Sequence, residues 1–160
     1  MNLHAQRWVA LGLFVLLCYG TAALGSMATA RSVGDWYAGI RKPAWTPPTW
    51  LFGPVWTLVY ASMAVAGWLA WKQTGWFGAP AAFMLFALQL VLNAVWSWLF
   101  FALRNPGAAL VGMGLLWLSI LVVLILFWRI APAAGWLLVP YLGWVTFAAV
   151  LNLRIWRLNA

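Results

Sequence analysis

A single acidic residue, Asp35, is all the negative charge this chain of 160 residues carries. It has no glutamate, and its nine lysines and arginines stand apart from one another except for the pair Arg41 and Lys42. A water-soluble domain needs roughly a quarter of its residues charged to cover its surface; here 6% are charged and 67% are apolar. The surface must therefore face hydrocarbon. The same scarcity excludes several chemistries. Hydrolysis by paired carboxylates needs two acids where one exists. One histidine, His4, and one cysteine, Cys18, rule out a multi-histidine metal site, a cysteine zinc site and an internal disulfide framework, so no metal is expected. Isolated cations without a basic run make no phosphate-binding footprint, which argues against nucleic acid as a partner.

Charges then serve as boundaries. A helix needs about 20 mostly apolar residues to cross about 30 Å of hydrocarbon. Five uncharged stretches qualify: Trp8 to Ala30, Pro43 to Trp71, Gln73 to Leu103, Asn105 to Trp128 and Ile130 to Leu153. Each is long enough for one crossing and too short for two. Pro47 and Pro48 push the start of the second crossing to Thr49, and Pro80 and Pro106 mark the starts of the third and fourth. The expected fold is an all-α membrane protein, a single bundle of five transmembrane helices over residues 8–30, 49–71, 80–103, 107–128 and 132–153. Only the connection 31–48 is substantial, and it is read as a lid. Arg7, an apolar run and Ala28-Thr29-Ala30 resemble a cleavable signal, but the run from Trp8 through Met27 exceeds a signal core of ~7–15 residues and is read as the first crossing. Five crossings place Arg7, Lys72 and Arg129 on one side and Arg31, Arg41, Lys42, Arg104, Arg154 and Arg157 on the other. This bias predicts a cytoplasmic lid and C-terminus, an outer N-terminus, and residence in a bacterial cytoplasmic membrane.

Fifteen tryptophans exceed what an interfacial belt requires. Trp8, Trp71, Trp76, Trp128 and Trp156 lie near charges or span ends, as belt residues do. Trp56, Trp96, Trp98, Trp117 and Trp144 lie deeper, and an indole in hydrocarbon wants a partner for its N–H, so these are expected to line a cavity rather than face lipid. On the third crossing Gln89, Asn93, Trp96 and Ser97 share one face, on the fifth Tyr141, Trp144, Ala148 and Asn152 do, with Pro140 expected to open the hydrogen-bond ladder one turn earlier, and on the second Trp56, Tyr60 and Met63. Carboxamides facing lipid are costly, so these stripes point inward, either bonding helix to helix or walling a pocket. A pocket of aromatics and amides suits a flat, mostly apolar ligand with a few polar edges. No acid is embedded near the midplane, which argues against proton-coupled transport. Gly78–Ala82 and Ala108–Gly112 have the small-xxx-small spacing that allows close helix packing or a homodimer.

One loop motif is specific. Trp36-Tyr37-Ala38-Gly39-Ile40-Arg41-Lys42-Pro43-Ala44-Trp45-Thr46-Pro47-Pro48-Thr49-Trp50 leads into Pro54-Val55-Trp56-Thr57-Leu58-Val59-Tyr60. Together with Gln89 to Ser97, Phe100-Phe101 and the run from Pro140 to Asn159, it resembles the translocator protein or tryptophan-rich sensory protein (TspO/MBR) family over about three quarters of the chain. The resemblance implies a five-helix bundle, often dimeric, with a cavity beneath the first loop that binds porphyrins such as protoporphyrin IX and synthetic isoquinoline-type ligands. Carried over by motif, the ligand positions are Tyr37, Trp56, Asn93, Trp144 and Ala148; Tyr60 and Trp96 join them from the stripes, and Trp45 from a lid shaped by Pro43, Pro47 and Pro48. Some bacterial relatives tie tryptophans matching Trp56 and Trp144 to light-dependent oxidative breakdown of the porphyrin, which makes these two the candidate catalytic residues. The sterol-recognition pattern of animal members is broken here, because Leu153 stands where they have tyrosine, and sterol binding is put in doubt.

The expected partners are thus the lipid membrane and a porphyrin or another flat apolar molecule, with no resident cofactor required. Three activities fit: a porphyrin-binding sensor, scavenger or translocator; a light- and oxygen-dependent porphyrin-degrading enzyme; and a non-catalytic interaction protein of stress signalling.

Overall fold

The computed structural model describes residues 3–160. In order they form α1 (Leu3–Ala30), α2 (Trp36–Gly39), α3 (Thr49–Thr74), α4 (Pro80–Ser97) running into one π-helical turn (Trp98–Ala102), α5 (Pro106–Ile130) and α6 (Pro132–Asn159). No strand occurs among the described residues. Five of the helices are long and apolar enough to cross a membrane, as the charge spacing predicts. The chain is an integral membrane protein.

Several helices outrun their expected limits. α1 begins before Trp8, α3 continues to Thr74, and α6 runs to Asn159 rather than stopping near Leu153. The reason is that Arg7, Lys72, Arg154 and Arg157 have long stems that reach water while their backbone stays helical. A charge therefore marks the edge of the hydrocarbon and not the end of the helix. Prolines set the starts. Pro80, Pro106 and Pro132 occupy first-turn positions where no N–H is needed, and Asn105 caps α5 by accepting from the backbone N–H of Ala108 at 3.0 Å. Pro140 lies inside α6, which stays α-helical throughout.

The bundle packs through small residues. α5 and α6, joined by Ala131 alone, form the most extensive helix pair. Gly112 faces Leu99 across the seam between the π turn and α5, and Ala82 is buried in the core. These members of the small-xxx-small pairs are consumed within the chain. At one end of the core Phe14, Phe83, Phe86 and Phe127 pack ring on ring, with Phe86 stacked on Phe127 at 5.6 Å.

The connection 31–48 is pinned to the other end. Ser32 Oγ donates to the Phe101 carbonyl at 2.7 Å, and Arg104 pairs with Asp35 at 3.4 Å. The Asn159 side chain clamps the backbone of Arg41, accepting from its N–H at 3.0 Å and donating to its carbonyl at 2.9 Å. Lys42 folds back to cap α2, donating to the carbonyls of Tyr37, Ala38 and Ile40. Both partners of the ion pair are half or more exposed, so it adds at most about 1 kcal/mol; the backbone clamp by Asn159 is the more specific tether.

Candidate functional site

Beneath that loop lies a cavity of about 510 Å³. Tyr37 reaches it from α2, Trp56 and Tyr60 from α3, Asn93 and Trp96 from α4, and Ala148 from α6. Six of the eight positions singled out in the sequence thus meet in one wall. Two stand outside it. Trp144 sits behind Trp56, its ring perpendicular at 6.5 Å, and packs on Phe52 and Phe147. Trp45 caps Phe147 at 5.8 Å and is 47% exposed. The two are linked to the cavity in relay, Trp56 to Trp144 to Phe147 to Trp45.

The other deep tryptophans depart from expectation. Trp98 faces outward and donates its Nε1 to the Leu24 carbonyl at 3.1 Å, lining a second, outer crevice between α1 and α4. Trp117 is satisfied by Thr146 Oγ1 at 2.8 Å. Each found a backbone or hydroxyl acceptor on a neighbouring helix, which sequence spacing does not reveal.

The cavity floor is a chain of hydrogen bonds. Tyr60 Oη donates to Asn93 Oδ1, Asn93 Nδ2 donates to Tyr141 Oη, and Tyr141 Oη donates to Gln89 Oε1, each at 2.9 Å. Three helices are joined through it, so both readings of the amide stripe hold at once: it bonds helix to helix, and its Asn93 end fronts the pocket. Four polar atoms of this region, Trp96 Nε1, Trp144 Nε1, Gln89 Nε2 and Asn152 Oδ1, are buried without a partner among the described residues. Such atoms cost about 1–3 kcal/mol each unless a ligand or water satisfies them.

The π turn explains the remaining wall. Its wider ring, closed by the Leu103 N–H on the Trp98 carbonyl at 2.9 Å, lets Phe100 and Phe101 both front the cavity beside Trp96. The turn ends at Arg104, whose φ of 51° is the left-handed conformation that stops a helix. Sequence reasoning could not see the extra residue in this turn. It also missed the contribution of α1, where Ala22, Gly25, Ser26 and Thr29 recur at one-face spacing and Tyr19 lies a turn earlier.

Chemically the wall is neutral. No lysine, arginine, aspartate, glutamate or histidine is among the described lining residues, and burial pushes the Tyr37 phenol above the ordinary tyrosine range, so it remains a neutral hydroxyl. Among the described residues no cluster of three metal-ligating side chains occurs. The site can stack on rings, offer hydroxyl, amide and indole groups, and exclude water.

The sequence pattern of the TspO/MBR family matches residues 14–157. The chain belongs to that family. It is 44% identical over 136 residues to the tryptophan-rich protein TspO of Archaeoglobus fulgidus, a match covering 85% of this chain and 88% of that protein. It is 41% identical to the tryptophan-rich protein TspO of Chlorobaculum tepidum, over 96% of this chain and 98% of the other, and 38% identical to the translocator protein of Sus scrofa, over 86% and 85%. As a TspO/MBR member the chain keeps the family match across every element that walls the cavity, from the middle of α1 to near the end of α6.

Proposed function

We propose that the cavity binds a flat, conjugated tetrapyrrole of the protoporphyrin IX type within the membrane, and that the protein acts as a sensor, scavenger or translocator of it. The observation that carries this reading is a neutral, aromatic-walled cavity of about 510 Å³, in the range of small-molecule sites, bordered by indole and amide groups without partners. Trp56 offers a face for stacking. Trp96 and Asn152 border the cavity and each buries an unpartnered polar atom, an N–H and a carbonyl oxygen, which a turn of the side chain would bring to the polar edges of the ring. The names translocator protein and tryptophan-rich sensory protein carried by relatives support the reading in kind.

The contact of Trp56 with Trp144 at 6.5 Å favours a second activity, photo-oxidation of the bound ring. The light-excited tetrapyrrole takes one electron from the Trp56 indole and passes it to molecular oxygen, giving superoxide. The indole radical cation, shared with Trp144, then takes an electron back from the ground-state ring, which leaves indole restored and a ring oxidised by one electron to which the superoxide adds. One experiment tests both. Protoporphyrin IX titrated into the protein in nanodiscs is expected to quench tryptophan emission saturably in darkness and to bleach under light, with bleaching lost in the Trp56→Phe, Trp144→Phe variant. Binding without bleaching leaves a sensor or carrier; no saturable quenching at micromolar porphyrin overturns the ligand reading.

The six cations on the lid side support a cytoplasmic lid and C-terminus. In a bacterial host a green fluorescent reporter at the C-terminus is then expected to fluoresce, and alkaline phosphatase fused at the same point to stay inactive. The reverse pattern sinks this topology.

A further inference from the structure

The cavity is not closed on all sides. Six of the residues that line it are exposed: Tyr19, Ser26 and Ala30 on α1, and Thr49, Gly53 and Thr57 on α3. The lining residues contributed by α2, α4, the π turn and α6 are buried or half-buried. The opening is therefore a slit between two transmembrane helices, facing the bilayer. At its deep end Tyr19 Oη donates to the Thr57 carbonyl at 3.0 Å, strapping α1 to α3, and the Tyr19 ring lies 6.3 Å from Tyr60 of the cavity floor. From Tyr19 to Ala30 the helix rises about 16 Å at 1.5 Å per residue, so the slit spans about one leaflet, the one on the lid side.

Its lips are made for hydrocarbon. The hydroxyls of Thr29 and Thr57 are spent on the carbonyls of Gly25 and Gly53 one turn back, at 3.0 and 2.9 Å. A Cβ placed on Gly53 meets nothing within 4 Å, so the gap there is real space and not a packed seam. The route from water is held differently. The loop above the cavity is tied down by Ser32, by the Asp35–Arg104 pair and by the Asn159 clamp, all on the side of α4 and α6.

The geometry points to lateral entry: a flat apolar ligand dissolved in the lid-side leaflet enters and leaves the cavity through the α1–α3 slit, and the Tyr19–Thr57 strap gates it. The loop is a cover and not the door. This rests on the proposed ligand class, and it adds the phase from which the ligand is taken, which selects for molecules that partition into lipid.

The test follows binding kinetics in proteoliposomes by stopped-flow quenching of tryptophan emission with protoporphyrin IX, and release by dilution into excess empty liposomes. Filling the slit with Ser26→Leu, Gly53→Leu is expected to slow association about tenfold and to slow release as well, because a gate acts in both directions whereas a lost contact acts mainly on release. Tyr19→Phe adds no bulk and removes the strap, so both rates are expected to rise severalfold; it keeps the test decisive should the filled variant misfold. Loosening the cover with Asn159→Ala is expected to leave association unchanged. Wild-type rates in the filled variant, or faster association in Asn159→Ala with no effect of Tyr19→Phe, would place entry beneath the loop and overturn the proposal. Absence of saturable quenching in the unmodified protein overturns the ligand reading, and lateral entry with it.

Discussion

Asn93→Leu is expected to destabilise the bundle by about 2–4 kcal/mol, through two lost hydrogen bonds and the unpaired phenol left behind. Leucine keeps asparagine's heavy-atom count and branching with bulkier methyl groups, and because Asn93 borders the cavity there is room for them, so the polar term dominates. Asn93 is the hinge of the chain that runs from Tyr60 to Gln89 across three helices. Without it the Tyr60 hydroxyl has no acceptor, and Tyr141 keeps only its bond to Gln89. In a bilayer the unfolded reference state also finds partners, which holds each bond to about 0.6–2 kcal/mol. Reversible unfolding in mixed micelles gives the number. In a Tyr60→Phe background the same substitution should cost about 1 kcal/mol less, because one of the bonds is already gone. Gln89→Leu separates stability from binding: Gln89 is buried, outside the cavity wall, and its loss should weaken the fold while leaving the wall intact. A cost below about 0.5 kcal/mol for Asn93→Leu would show that the chain of bonds does not hold the helices together.

This chain of bonds also shows how much of the site could be read without coordinates. Gln89, Asn93, Trp96 and Ser97 share a face because a helix repeats every 3.6 residues, and all four are buried. Such a pattern is one-dimensional, and so it was legible. Which stripe meets which is not. Trp144 shares its face with Tyr141 and Ala148, but the bulk of Trp56 in front of it keeps it one layer from the cavity. Trp98 faces outward because it continues the lipid-facing stripe of Val91 and Val95 at helical spacing, a phase that its depth along the sequence did not weigh; the π turn that begins with it shifts only the residues that follow. The α1 wall was missed for the opposite reason: Ala22, Gly25 and Ser26 are small, and small residues carry the same pattern whether they let a neighbour approach or leave room for a ligand. The helix ends erred toward shortness because charge reports the bilayer's edge and not the backbone's.

Glycines give the sharpest test of the packing itself, since one added methyl probes one contact. A Cβ on Gly135 would lie 2.7 Å from Trp128 Cβ and 2.8 Å from Trp128 Cα, so relief requires moving the backbone of α5. That backbone has little freedom, because Ala131 alone joins the two helices and they share the most extensive interface in the bundle. Gly135→Ala is therefore expected to cost about 2–3 kcal/mol, the upper part of the range for overpacking, and Gly135→Val to abolish folding in the membrane. At Gly67 the added atom meets only the Phe14 ring, at 2.6 Å. A side chain can turn where a backbone cannot, yet Phe14 is hemmed in by Trp76, Phe83 and Phe86, so about 1–2 kcal/mol is expected there. At Gly143 nothing lies within 4 Å, and alanine should be neutral or stabilising by a few tenths of a kcal/mol through its better helix propensity. The order Gly135, Gly67, Gly143 is thus set by what each methyl strikes: backbone, a caged ring, or lipid. Thermal unfolding of the three alanine variants in one detergent measures it. A Gly143 variant as damaged as the Gly135 variant would mean that α6 presents a different face to its neighbours, and the cavity wall built on Tyr141 and Ala148 would have to be redrawn.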